Sequence, residues 1–151
     1  MFRPTNILPM RLFVLLSILT FTLSVSNQVH SQCKLKDLKA EYLEKIKPYE
    51  FEGISAGIIF AGEATTISVS VFRNQKYRLF FHSEGFDGPV SVKVMTRNRF
   101  VLFTNKDDPT LDRYTFIPKK TEDYFVEFTT PNSANEDARG CVAVVLCSRG
   151  Y

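Results

Sequence analysis

The sequence predicts a mainly β protein: an antiparallel β-sandwich, jelly-roll-like, of about eight strands, with one N-terminal amphipathic helix packed on it. Three observations lead there. From Phe51 onward, apolar residues recur at every second position in short runs divided by turn residues. No helical segment separates those runs, so neighbouring strands pair antiparallel rather than through crossovers. Finally, 14 Phe and 6 Tyr against no Trp, with many Val, Ile and Thr, suit pleated, half-buried surfaces.

The chain begins with Arg3 and Arg11 ahead of the apolar run LFVLLSILTFTLSV, followed by the polar SNQVHSQ. This is the build of a secretory signal. The run from Leu12 to Val25 falls short of the roughly 20 residues of a membrane-spanning helix, and no second such run follows, so the mature chain has no transmembrane segment. Val29 and Ser31 suit a signal peptidase at the third and first positions before the bond, which places cleavage after Ser31. The expected organisation is a signal at 1–31, a helix within 32–49 and a sandwich at 50–151. Cys33 raises the alternative of a lipid anchor, but a lipoprotein signal has Gly or Ala directly before its cysteine and Leu near the third position, where this chain has Gln32 and His30. The location expected is therefore exported, periplasmic or extracellular.

Losing the signal changes the charge. The full chain carries 19 basic and 16 acidic residues; Arg3 and Arg11 leave with the signal, so 17 minus 16 gives +1. A nearly neutral domain with interspersed signs has no electrostatic footprint for nucleic acid or an anionic membrane, and both partners are excluded. The remaining 120 or so residues make one domain, large enough to bury a core without metals.

In CKLKDLKAEYLEKIKPYEFEG, Leu35, Leu38, Tyr42, Leu43 and Ile46 fall at helical spacing among Lys and Glu, which predicts an amphipathic helix. Pro48 ends it. The strands then follow in order: ISAGIIFAG; TTISVSVF after a tight connection at Glu63 and Ala64; KYRLFFHS; VSVKVMT after the turn EGFDGP; RFVLF; YTFIP after the loop NKDDPTLD; YFVEFTT after KKTED; and the closing CVAVVL after PNSANEDARG. Taking one inner face per strand, the expected core is Ile67, Val69, Val71, Tyr77, Leu79, Phe81, Val90, Val92, Val94, Phe116, Tyr124, Val126 and Phe128. Phe72, Phe80 and Phe125 fall on outer faces, and the helix is their expected cover, each buried ring being worth about 2 kcal/mol.

The segments CKLKDL, KPYEFEG, GEATTISVSVFRNQKYRLFF and GCVAVVL together resemble a family of small exported proteins of Bacteroidetes-type bacteria; the resemblance implies a compartment and no activity. YTFIPKKTEDYFVEF is similar to the strand, turn and strand of pre-peptidase C-terminal and GOLD-like sandwich domains. Those domains carry Gly in the turn where this chain has Glu122 and Asp123.

Cys141 and Cys147 lie six residues apart in a strand-like run, about 20 Å when extended, whereas a disulfide needs Cα atoms within about 7 Å. They cannot bond to each other. In an oxidising compartment Cys33 is the partner for one of them, Cys141 ahead of Cys147, with three unpaired buried cysteines as the plain alternative. Even spacing also leaves that strand apolar on both sides, as in a central, covered strand.

Little else carries chemistry. No CxxC or HxxxH spacing occurs and the mature chain has one histidine, so no metal or cofactor is expected. His82 is read as part of a solvated strand face beside Lys76 and Arg78, and Ser83 beside it is adjacency without an orienting group; no catalytic residue is assigned. The acidic loops with Asp107, Asp108 and Asp112, and with Glu136 and Asp137, lack the ligand spacing of a calcium site. Phe86, between two glycines in EGFDGP, is the candidate binding-loop aromatic, against the plainer alternative that it folds back on the sandwich edge. The function expected is an exported, non-catalytic sandwich that binds a protein or glycan of the cell envelope or serves as an accessory subunit; a carbohydrate-binding module is the alternative, and an enzyme of unfamiliar type would need polar side chains converging in a pocket.

Overall fold

The computed structural model describes residues 33–135 and 137–150; the leader, the bond after Ser31 and Glu136 lie outside the described residues. Helix α1 (Leu35–Lys45) is followed by strands β1 (Glu50–Phe60), β2 (Ala64–Val71), β3 (Lys76–Glu84), β4 (Ser91–Met95), β5 (Val101–Thr104), β6 (Arg113–Phe116), β7 (Glu122–Thr129) and β8 (Arg139–Arg149). The strands form two four-stranded sheets in the orders β1-β8-β3-β6 and β2-β7-β4-β5, and every pairing is antiparallel. Consecutive strands alternate between the sheets except β4 and β5, which pair as a hairpin, and β7 and β8 return beside β2 and β1, which is the jelly-roll arrangement of two Greek keys. One boundary shifts: Ala64 pairs with Thr129 as the first residue of β2, so the connection after β1 is Ala61 to Glu63, with Gly62 at φ +80°.

The period-two pattern does what its spacing requires. Val69, Val71, Tyr77, Leu79, Phe81, Val90, Val92, Val94, Tyr124, Val126 and Phe128 are buried between the sheets with Ile59, Val142 and Val144, and Ile67 and Phe116 pack half-buried against them. At the side closed by β5 and β6 the core ends in a row of stacked rings. Phe81 lies 5.5 Å from Phe103, Phe103 5.1 Å from Tyr114, Tyr114 5.2 Å from Phe116 and Phe116 5.0 Å from Tyr124. Aromatic pairs at such separations add about 0.5–1.5 kcal/mol each beyond their buried area.

β8 is apolar on both faces, and both are used. Its inner side gives Val142 and Val144 to the core, while Cys141, Ala143, Val145 and Cys147 face outward and are buried under α1. Leu38, Tyr42 and Ile46 of the helical stripe, with Tyr49 after it, close over them and over Phe80; Leu35 and Leu43, off the axis of that stripe, stay exposed. Phe80 is 1 % exposed and its ring lies 5.3 Å from that of Tyr42.

This corrects two expectations. The helix covers Phe80 but neither Phe72 nor Phe125, because β3 belongs to one sheet and β2 and β7 to the other; one helix covers one outer face. His82 is not on a solvated face. It shares the outer side of β3 with Phe80, so the same helix overlies it: its side chain is 18 % exposed, its ring meets Tyr42 edge-on at 6.3 Å, and its Nε2 has no hydrogen-bond partner.

Candidate functional site

Cys33 is joined to Cys141, with Cα atoms 5.3 Å apart, pinning the start of α1 to the centre of the sheet it covers. Cys147 is the free, buried thiol, and desolvation pushes its pKa up to about 11. A thiol so poorly ionised and fully buried is a poor nucleophile at neutral pH. Phe86 lies half-buried on the core, in space that Gly140 leaves open: a Cβ on Gly140 would stand 2.6 Å from two of its ring carbons. The ring therefore spends its apolar face on the sandwich.

The acidic loops are self-contained turns. Asp108 accepts hydrogen bonds from the Thr110 backbone N–H and hydroxyl, which hold its carboxyl below the usual range. Asn135 accepts from the Asp137 N–H. Among the described residues no three His, Cys, Asp or Glu side chains gather as metal ligands.

Nor do His82 and Ser83 form a catalytic pair. Successive strand residues point to opposite faces, so His82 turns toward the helix while Ser83 follows the inner side of Tyr77, Leu79 and Phe81. Both border a cleft of about 240 Å³ with Asn105, Leu111, Asp112 and Phe128. Asn105 is already engaged, accepting from Val92 N–H and donating to the Val90 carbonyl, and Asp112 is exposed. No buried carboxylate converges with an activated nucleophile there.

The outer face of β2-β7-β4-β5 is different, because no helix or strand among the described residues covers it. Thr66, Ser68 and Ser70 line it on β2, Asp123, Phe125 and Glu127 on β7, and Ser91, Lys93 and Met95 on β4, with Phe125 paired to Ser68 on one side and Met95 on the other. Lys93 and Glu127 neutralise each other at 2.9 Å, and the Ser70 hydroxyl donates to Asp123 at 2.6 Å. Over this face leans the turn between β4 and β5. It is closed by Thr96 N–H to the Phe100 carbonyl at 3.0 Å and Arg99 N–H to the Thr96 carbonyl at 2.9 Å.

That turn carries two arginines and an exposed aromatic. Arg97, Arg99, Phe125, Thr66 and Ser68 line one groove of about 420 Å³. Arg97 also borders a second, of about 360 Å³, with Phe72, Ser70, Thr121, Glu122 and Asp123. Phe72 and Phe100 are 61 % and 68 % exposed. None of the ion pairs among the described residues includes Arg97 or Arg99. Arg99 moreover sits at φ +63°, a left-handed conformation that costs a non-glycine residue about 1–2 kcal/mol. A residue with a Cβ is thus kept where glycine would be easier. The sequence showed a short turn at Arg97 and Asn98; it did not show that the turn overhangs Phe125, which depends on β4 pairing with β7.

No family model matches the chain, and no curated protein matches it either. A solved structure that does is the crystal structure of PliG from Aeromonas hydrophila, a periplasmic lysozyme inhibitor of g-type lysozyme. It shares 7 % identity and a TM-score of 0.48, over 66 % of this chain and 88 % of that one. A likeness this distant carries neither residues nor a role across.

Proposed function

We propose that this is an exported, non-catalytic binding protein whose partner is a protein of the cell envelope docked on the open sheet face, presenting carboxylates to Arg97 and Arg99. One observation carries the reading: two arginines without an ion-pair partner among the described residues overhang a half-buried phenylalanine, on a sheet face that no described helix or strand covers. Arginine and aromatic side chains dominate the energetics of protein interfaces, because a planar guanidinium makes paired hydrogen bonds to carboxylates and rings bury large area at little entropic cost. The secretory pattern of the leader and the Cys33–Cys141 bond support export, since such bonds persist in oxidising compartments. The same bond argues against a lipid anchor, as a sulfur bonded to Cys141 is not free for a thioether. The resemblance to small exported Bacteroidetes-type proteins points the same way.

The test uses the mature chain as bait on envelope extract beside an Arg97→Glu/Arg99→Glu variant. The expected result is a protein captured by the native chain, released as ionic strength rises, and lost from the variant. Capture that survives charge reversal, or retention on envelope polysaccharide with no protein captured, overturns the reading; the second outcome assigns the face to glycans.

A further inference from the structure

The sandwich has four sheet edges, and they are not equally protected. β5 and β6 are edge strands of four residues each, too short to template another chain. β2 is longer but presents Thr66, Ser68 and Ser70 on its outer side. β1 is the exception: eleven residues long, at the edge of its sheet, with neither a charge nor a proline from Gly53 to Phe60. Its outer side carries Ile54 and Ala56, half-buried against the cluster under α1, and then Ile58 and Phe60, which are 54 % and 43 % exposed. A Cβ on Gly53 or Gly57 would meet nothing within 4 Å. An uncharged, apolar edge of this length normally aggregates unless something specific pairs with it.

We infer that a second copy of this chain pairs with it, β1 against β1 about a two-fold axis at Gly57, joining two four-stranded sheets into one of eight. The argument is self-complementarity. Under that two-fold, antiparallel register sets Ala56 opposite Ile58 of the second copy and Ile54 opposite its Phe60, so the exposed Ile58 and Phe60 each meet an apolar side chain half-covered by its own α1, and no charges oppose. The polar edge of β2 offers no such match. Edge-to-edge pairing over about seven residues buries less than the roughly 1,200 Å² of a stable interface, so the dimer is weak and concentration-dependent. The inference is independent of the open sheet face, which lies on the other sheet.

Sedimentation equilibrium of the mature chain is expected to show monomer at micromolar and dimer toward millimolar concentration. Ile58→Lys and Phe60→Lys, each with its thermal unfolding retained, are expected to raise the dissociation constant at least about tenfold, since either buries a charge at the pairing. Phe125→Lys, on the opposite sheet, is expected to leave it unchanged. Hydrogen exchange on the unsubstituted chain gives a readout free of folding defects: amides from Gly53 to Phe60 slow as concentration rises. A chain monomeric throughout that range, a dimer indifferent to both lysine variants, or exchange that slows elsewhere and not along β1 overturns the inference.

Discussion

Replacing Cys33 by alanine removes the bond that holds α1 to β8 and leaves the Cys141 thiol to fill its own place. The bond spans 108 residues, nearly the whole mature chain. In the chain-entropy relation a closed loop of that length restricts the unfolded chain by about 4.8 kcal/mol at 25 °C. An unfolding entropy of about 2.1 cal/mol/K per residue, over roughly 120 residues, amounts to about 0.25 kcal/mol/K, so the loss translates into a fall in melting temperature of about 15–20 °C. Differential scanning calorimetry of the native chain, the native chain with reductant, and Cys33→Ala measures it. The last two are expected to coincide, because Cys147 is buried at the far end of the same row and has no partner of its own. A fall below about 5 °C refutes the reasoning. So does a non-reducing peptide map that links Cys33 to Cys147.

Two further predictions concern packing and ionisation. Gly140→Ala is expected to cost about 1–3 kcal/mol in urea unfolding, since the added methyl meets the Glu84 carbonyl and the Phe86 ring; Phe86→Ala in that background is expected to recover part of the loss, and additive costs would show that the ring is not the obstacle. At high pH the stability is expected to drain away. The unfolded chain ionises Cys147 from about pH 9.0 and Tyr42 from about 10.0, while burial holds the folded groups protonated up to about 11 and about 12, so stability is intact below pH 9 and is lost as pH rises through 11 to 12. Burial raises Tyr114 and Tyr124 in the same direction; Tyr42→Phe removes one of these contributions, and an alkaline unfolding profile unmoved by it would be the contrary result.

Much of this fold was legible because alternation reports a face directly. In TTISVSVF, KYRLFFHS and YFVEFTT one parity is apolar, and Val69, Leu79 and Val126 went inside as that parity requires. Where both parities are apolar the sequence falls silent. RFVLF conceals the choice, so Phe103 in the stacked row was missed; Tyr114 shares the parity of Phe116 and was legible from it, though the expected core named only Phe116. Alternation also gives a face without naming a sheet. Phe80 and Phe125 look alike in sequence; one is sealed under α1 and the other half-open, because β3 pairs with β8 and β7 with β2 and β4 across long sequence separations. The candidate site depends on those same pairings. Arg97 and Arg99 read as a polar turn until β4 is set beside β7.

The two outer faces also differ in what it would take to use them. Binding on the side of β1-β8-β3-β6 would require α1 to leave, re-exposing Leu38, Tyr42, Ile46 and Tyr49, which at about 2 kcal/mol each comes to about 8 kcal/mol. That is as much as the whole stability of an ordinary domain. The Cys33–Cys141 bond adds to the obstacle, since the helix cannot depart while its first turn is tied to the sheet. On the other side the outward residues are Ser and Thr, a neutralised Lys93–Glu127 pair, Asp123 held by Ser70, a half-buried Phe125 and a buried Met95, so a partner displaces solvent without removing an element of the fold. A helix that seals one sheet therefore does more than stabilise it. Among the described residues it leaves the opposite face open to a broad partner without unfolding, and that is the face over which Arg97 and Arg99 are held.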